Sequence, residues 1–96
     1  MEIKTKSGFK CKVNENKVKD WRYIKTSSQI AKSKDDMVII NGIDFLMSFV
    51  LGEDYERLMD YLAKDGIVDS NELIATYKEI TDRIGEQVKK SNSSQG

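Results

Sequence analysis

The sequence predicts a mainly α-helical fold with a minor β part: an N-terminal β-hairpin followed by a bundle of about four helices. Two short alternating segments within residues 2–13 predict the hairpin, because every second residue of a strand lies on the same face. An apolar run from Met37 to Leu51 and an amphipathic segment from Ser70 to about Lys89 predict the two longest helices. The 96 residues fit one small domain, which we place at 1–90, followed by a disordered polar tail at 91–96.

The hairpin segments alternate apolar and polar residues on both sides of a Ser-Gly pair, which is typical of a tight turn. Ile3 and Thr5 lie on one face of the first strand. In the second strand, one face carries Phe9, Cys11 and Val13. An isolated hairpin is only marginally stable, so this face should pack on a helix. We therefore expect Cys11 to be a small buried hydrophobe and not a reactive thiol.

The first helix is predicted from Glu15 to about Ala31, because Asn14 is a good N-cap and apolar residues recur after it at helical spacing. Trp21 belongs to this apolar series, so we expect it to anchor the core. A break is expected at the weak helix formers of residues 26–28.

The central helix, Met37–Leu51, has eleven apolar residues out of fifteen. Asp35 or Asp36 should cap its start, and Gly52 should end it. Because the helix is apolar on nearly all sides, we expect it to lie buried at the centre of the domain. A sharper hypothesis leaves one of its sides free for a partner, namely the side with Phe45, Met47 and Phe49.

The third helix is expected to begin at Glu53-Asp54 and to face the core with Tyr55, Leu58, Met59 and Leu62. The segment after it, residues 64–73, imitates the second half of a calcium-binding EF-hand loop. Tyr61 and Ala63 stand where the first two carboxylate ligands would be, so we reject a calcium site.

The same segment predicts an Asp-Gly turn followed by a capping box, with Asp69 as N-cap and Glu72 three residues on. Ile67 or Val68 should then fill the space between the two helices. The last helix shows one apolar stripe: Leu73, Ile74, Tyr77, Ile80, Ile84 and Val88.

Composition argues against an enzyme. The chain has no histidine and a single cysteine, which removes the usual general base, a Ser-His or Cys-His pair and a zinc site within one chain. We expect no catalytic residues, no metal and no cofactor. The longest apolar run is fifteen residues with Asp44 inside it, which is too short to span a bilayer. A lone cysteine suits a reducing cytoplasm.

The zero net charge hides an asymmetry. Residues 1–34 hold ten Lys or Arg and three Asp or Glu, for a charge of +7, whereas residues 35–96 hold six and thirteen, for a charge of −7. These opposite charges could close on each other within one fold, favour head-to-tail stacking of subunits, or mark a nucleic-acid surface.

Several motifs follow one another in a distinctive order. An Asp20-Trp21 pair precedes an apolar helix that ends in FVLGEDYERL, residues 49–58. A DGIV turn at residues 65–68, an EL…YKEI helix at residues 72–80 and a KKSN end at residues 89–92 follow it. In this pattern, over roughly residues 13–92, the chain resembles the small tail assembly chaperones of long-tailed, siphovirus-type phages that infect Gram-positive bacteria.

The resemblance implies a non-enzymatic holdase that acts in the host cell cytoplasm and is not expected in the mature virion. Its client would be the long helical tape measure protein, which such chaperones coat until tail-tube subunits replace them. It also implies a longer form made by ribosomal frameshifting near the C-terminus, for which Lys89-Lys90 is a plausible slippery site if A-rich codons encode it. Separately, many weak copies would bind one client by avidity, and attraction between the +7 and −7 parts of the chain predicts a homo-oligomer.

A holdase of helical clients needs exposed apolar side chains that repack easily, which methionines and aromatic residues provide. The candidates for client binding are Met37, Phe45, Met47, Phe49 and Met59. The candidates for self-association through opposite charges are Lys4, Lys10, Lys12, Glu53, Glu56 and Asp60.

Two alternatives from other classes remain open. A nucleic-acid-binding regulator would use basic and aromatic residues of the N-terminal third: Lys4, Lys6, Lys10, Lys12, Trp21, Arg22 and Tyr23. The −7 remainder would repel phosphate, and no helix-turn-helix spacing is visible, which disfavours nucleic acid as a partner. An inhibitor or scaffold would instead bind a basic host protein through the acidic helical part.

Overall fold

The computed structural model describes the backbone of residues 1–93 and the side chains of residues 1–89. A two-stranded hairpin precedes five helices, so the predicted mainly α-helical fold with an N-terminal hairpin is confirmed. The elements in chain order are β1 (Glu2–Lys4), β2 (Lys10–Lys12), α1 (Glu15–Val18), α2 (Trp21–Lys32), α3 (Asp36–Leu51), α4 (Asp54–Leu62) and α5 (Ser70–Ser93).

The hairpin is antiparallel, and Ile3 lies opposite Cys11 in its register. Its inner face is buried as predicted, from Ile3 and Thr5 through Phe9 to Val13. The turn is closed by the Thr5 amide, which donates to the Phe9 carbonyl at 2.8 Å, and by the Phe9 amide, which donates to the Thr5 hydroxyl at 3.1 Å. Each strand is three residues long, shorter than the alternation alone indicates.

The outer edges of the hairpin are held by α4 and α5. The Lys12 amide donates to Asp54 of α4 at 2.9 Å, and the Lys6 amide donates to Glu79 of α5 at 2.6 Å. The Tyr61 hydroxyl donates to the Ser7 carbonyl at 2.7 Å. These contacts satisfy backbone groups that a two-stranded sheet leaves unpaired.

The first predicted helix is two helices, and the predicted break at residues 26–28 is wrong. The chain leaves the helical conformation at Asp20, whose side chain caps α2 by accepting from the Arg22 amide at 2.8 Å. Both oxygens of Asp20 also bind the Arg22 guanidinium, each at 3.0 Å. The cap at Asp20 therefore starts a new helix. The weak helix formers at residues 26–28 do not interrupt that helix.

Helix α3 occupies the centre of the domain. Asp35 caps it by accepting from the Met37 amide at 2.9 Å, and Gly52 ends it with a φ of 56°, as predicted. The face directed at the core is buried: Gly42, Ile43, Leu46, Met47, Val50 and Leu51. The expectation that the helix is buried on nearly all sides is wrong, because Val38 and Ile40 are 41% and 48% exposed.

The turn between α4 and α5 is a two-residue hairpin loop. Asp65 and Gly66 both have positive φ, and Lys64 and Ile67 pair through two backbone hydrogen bonds of 2.8 and 3.0 Å. Ile67 is 70% exposed, so it does not fill the space between the helices, whereas Val68 is half-buried.

Asp69 caps α5 as predicted, accepting from the Asn71 and Glu72 amides at 2.8 and 3.3 Å. Glu72 pairs with Lys64 at 3.2 Å. Helix α5 continues to Ser93, a few residues beyond its predicted end near Lys89. Of the predicted disordered tail at 91–96, residues 94–96 lie outside the described part of the chain.

The core joins the hairpin, α3, α4 and α5. Its most completely buried side chains come from each of these elements: Ile3, Leu46, Met47, Leu58, Ile80 and Ile84. None of the described helices is long and apolar enough to cross a membrane.

Candidate binding groove

Helices α2 and α3 cross at Gly42. A Cβ atom on this glycine would lie 2.6 Å from Cγ1 of Ile30 and 3.4 Å from Cγ2 of Thr26, closer than side chains normally approach. The absence of a side chain therefore lets the two helix backbones come close together. Apolar residues on both sides of this crossing, among them Trp21 and Val38, are exposed.

An open groove of about 950 Å³ runs between α2 and α3 on one side of this crossing. We call it the α2/α3 groove. Trp21 and Ile24 of α2 form one wall, and Val38 and Phe45 of α3 form the other. These four side chains are between 37% and 72% exposed. A cluster of large apolar side chains this exposed is typical of a surface that binds a partner.

The α2 side of the groove was missed by the sequence analysis, which placed Trp21 in the core. Trp21 is 72% exposed, the most exposed large apolar residue described. The residues of α2 that face the core are instead Tyr23, Thr26, Ser27 and Ile30, all of them half-buried. Two of these four inward positions are polar, so the apolar pattern indicates the wrong face.

The end of the groove nearest α1 is an aromatic cluster. The rings of Phe45 and Phe49 stack with their centroids 5.4 Å apart. Lys17 and Arg22 place their charged groups 5.0 and 4.9 Å from the centroid of the Phe49 ring. These cation–π contacts cover Phe49, so Phe45 is the member of the pair that a ligand in the groove would meet.

The charge in the groove is positive. Lys25 and Lys32 are the only ionised side chains that line it in the described part of the chain. Arg22 also lies on α2 but is paired with Asp20. Helix α2 contains these three basic residues and no acidic one.

A second apolar groove, of about 750 Å³, lies between α2, α3 and α5. Its apolar lining is mainly aliphatic: Ile30, Ile39, Ile40, Ile43 and Ile74, with Tyr77. Burial raises the pKa of the Tyr77 hydroxyl to about 12, with a smaller contribution from Tyr23, so this phenol is neutral at physiological pH.

The five residues predicted to bind a client do not form one surface. Phe45 lines the α2/α3 groove, Phe49 is half-buried beside it, and Met37 is 59% exposed outside it. Met59 is half-buried on α4. Met47 is only 1% exposed in the core, so its prediction as a contact residue is wrong. It is one of the residues through which α3 packs inward.

The six residues predicted for self-association are all exposed: Lys4, Lys10, Lys12, Glu53, Glu56 and Asp60. The three lysines lie on the hairpin, and the three acids lie at or just before α4. These two elements are neighbours in one molecule, because Asp54 accepts from the Lys12 amide and Lys10 and Asp60 line one shallow groove. Opposite charges are thus partly brought together within the fold.

The residues of the nucleic-acid hypothesis are divided among several environments. Arg22 is bound to Asp20. Tyr23 is half-buried, which raises the pKa of its hydroxyl, and its side chain bonds with Ser27. Trp21 lies in the α2/α3 groove, and the four lysines named with it belong to the hairpin and its turn. No feature of this placement singles out a phosphate-binding surface.

Cys11 and Tyr55 are two further side chains whose pKa is raised. Cys11 is buried, which raises the pKa of its thiol to about 11, with a further contribution from the nearby Asp54. Tyr55 donates to Asp44 at 2.8 Å, and burial together with this carboxylate raises the pKa of its hydroxyl to about 12. In the described residues no three His, Cys, Asp or Glu side chains are grouped to hold a metal ion.

No protein-family model, characterised protein or solved structure matches this chain.

Proposed function

We propose that this protein is a phage tail assembly chaperone that binds apolar helical segments of the tape measure protein. The observation that carries the proposal is the α2/α3 groove, which exposes large apolar side chains to solvent. The resemblance of the sequence to small tail assembly chaperones supplies the client. The protein acts by binding alone, in the host cell cytoplasm, with neither a catalytic step nor a cofactor.

The dimensions of the groove suit a helix. Val38 and Phe45 are seven residues apart on α3, so this wall is about 10 Å long, or two helical turns. An amphipathic helix would fill it with residues at positions i, i+3 or i+4, and i+7. Burial of Trp21 and Ile24 under such a helix contributes a few kcal/mol at most, by the usual relation between apolar area and free energy.

A single groove of this kind gives weak binding, so the proposal includes many copies on one client. Adjacent chaperones on a long helical protein bind by avidity, and contacts between them add to it. The exposed charges of the hairpin and α4 are our candidates for such contacts between protomers. A frameshifted longer form would join the same assembly.

The experiment is co-expression with a candidate tape measure protein, followed by pulldown and light scattering. We expect the client to stay soluble only with the chaperone. The double variant Trp21→Asp/Ile24→Asp should abolish this effect, because it places two carboxylates on an apolar wall. Ile67→Asp is the matched control, since Ile67 is 70% exposed on the α4–α5 turn outside the groove.

Two results would contradict the proposal. One is a client that remains insoluble with the wild-type protein. The other is a double variant that keeps a native circular dichroism spectrum and still holds the client in solution. Self-association is tested separately by sedimentation over a broad concentration range at low salt, and a strictly monomeric profile would exclude it.

A further inference from the structure

The charges at the α2/α3 groove are unbalanced within the molecule. Lys25 and Lys32 line the groove and form no ion pair with any residue that the structure describes. Two carboxylates on or next to α2 and α3 are engaged elsewhere. Asp20 binds Arg22, and Asp44 accepts from Tyr55.

The two lysines have the same sequence spacing as Val38 and Phe45, which form the α3 wall of the groove. Seven residues separate Lys25 from Lys32, which places them on one face of α2 about 10 Å apart. Trp21 and Ile24 lie beside them on the same helix, so α2 presents an apolar row with an ammonium row along it. In paired helices, charges that flank an apolar seam select partners of opposite charge.

We infer that the α2/α3 groove is specific for an amphipathic helix whose apolar stripe is flanked by Asp or Glu residues about two turns apart. This inference rests on the proposed function and adds a selection rule to it: among the helical segments of a client, those with acidic flanks bind. The apolar stripe provides affinity. The contacts of its flanking carboxylates with Lys25 and Lys32 provide specificity among helical segments.

The groove contains its own probe. Trp21 is the single tryptophan of the chain and is 72% exposed, so a helix that covers it should shift its emission to shorter wavelength. Three synthetic peptides of about 18 residues, long enough to form helix, would share one Leu/Ala stripe and lack tryptophan. They would differ only in their flanking residues, which are Glu, Gln or Lys.

We expect the Glu-flanked peptide to bind about tenfold more tightly than the Lys-flanked one at low salt, with the Gln-flanked peptide between them. The difference should shrink at about 0.5 M salt, where exposed charges are screened. The variant Lys25→Glu/Lys32→Glu should reverse the order of the peptides. Lys6→Glu/Lys64→Glu changes the net charge equally on two turns outside the groove and should leave the order unchanged.

Equal binding of the Glu- and Lys-flanked peptides would overturn the inference and leave the proposed holdase function standing. The same holds if the control variant outside the groove reverses the order, because net charge and not the groove would then decide. An emission shift that grows with protein concentration in the absence of peptide would assign the groove to a second copy of this chain, and would also overturn it. If no peptide binds and the tape measure protein stays insoluble, both the inference and the proposed function fail.

Discussion

The two faces of α3 predict opposite responses to one substitution. Met47 and Met37 are the same residue type on the same helix, yet Met47 is 1% exposed and Met37 is 59% exposed. Replacing each with alanine changes helix propensity equally and removes the same atoms. Any difference between the two variants therefore measures packing.

The expected difference is large relative to the stability of the domain. A buried methionine replaced by alanine loses its transfer free energy and leaves a cavity, together about 2–5 kcal/mol. A chain of 96 residues has a free energy of unfolding of roughly 5–14 kcal/mol, at 0.05–0.15 kcal/mol per residue. Met47→Ala should therefore remove at least about a seventh of it, whereas Met37→Ala should stay within about 0.5 kcal/mol of wild type.

The assay is urea unfolding followed by circular dichroism at the helix band. With a slope near 1 kcal/mol per molar urea, which is typical of small domains, the midpoint of Met47→Ala should fall by about 2–5 M. Equal midpoints for the two variants would refute the placement of Met47 in the core. They would also restore Met47 as a candidate contact residue.

Three further predictions concern the hairpin, its thiol and the α4–α5 turn. The Lys12 amide and the Arg57 guanidinium hold the pKa of Asp54 below its usual value, so stability is present above about pH 4 and is lost as the pH falls through the lowered pKa. Acidification should lower the urea midpoint of the wild-type protein, and it should lower that of Asp54→Asn by less. An equal decrease in both proteins would exclude the Asp54 carboxylate as the source of the effect. Cys11, with its pKa raised to about 11 by burial, should react with a thiol reagent only after unfolding. Rapid reaction of the native protein would contradict its burial. Gly66 has a φ of 78°, so Gly66→Ala should cost about 1 kcal/mol of unfolding free energy, and a neutral result would contradict the turn conformation.

The hairpin and the start and end of α3 could be predicted because their signals are local. Alternation over five residues decides which side of a strand is buried, and Ile3 and Cys11 obey it. Asp35 and Gly52 lie at the two ends of α3, where their residue types are preferred as caps. They are therefore specific signals for the start and the end of a helix. Such signals do not depend on what the rest of the chain does.

The orientation of α2 could not be predicted, because it depends on a contact with α3. The inward face of α2 contains Thr26 and Ser27, and its inward position is set by the close approach of Ile30 to Gly42. A sequence pattern ranks faces by apolar content, and by that rule the face with Trp21 should be buried. In addition, the helix restarts at Asp20, so residues before and after it do not keep one helical register. The periodicity of residues 15–31 does not reveal this change.

The polar inner face of α2 and its close crossing with α3, which make the sequence pattern misleading, also create the groove. Small polar residues on the inner face of α2, opposite a glycine on α3, allow a close crossing without filling the space around it. The large apolar residues of α2 are then left outside the core, and Lys25 and Lys32 line the groove without any carboxylate among its described lining residues. For a domain selected only for stability, a tryptophan 72% exposed at this position has no use. Conflict between local pattern and burial is thus an argument for binding at the α2/α3 groove that does not depend on any resemblance to another protein.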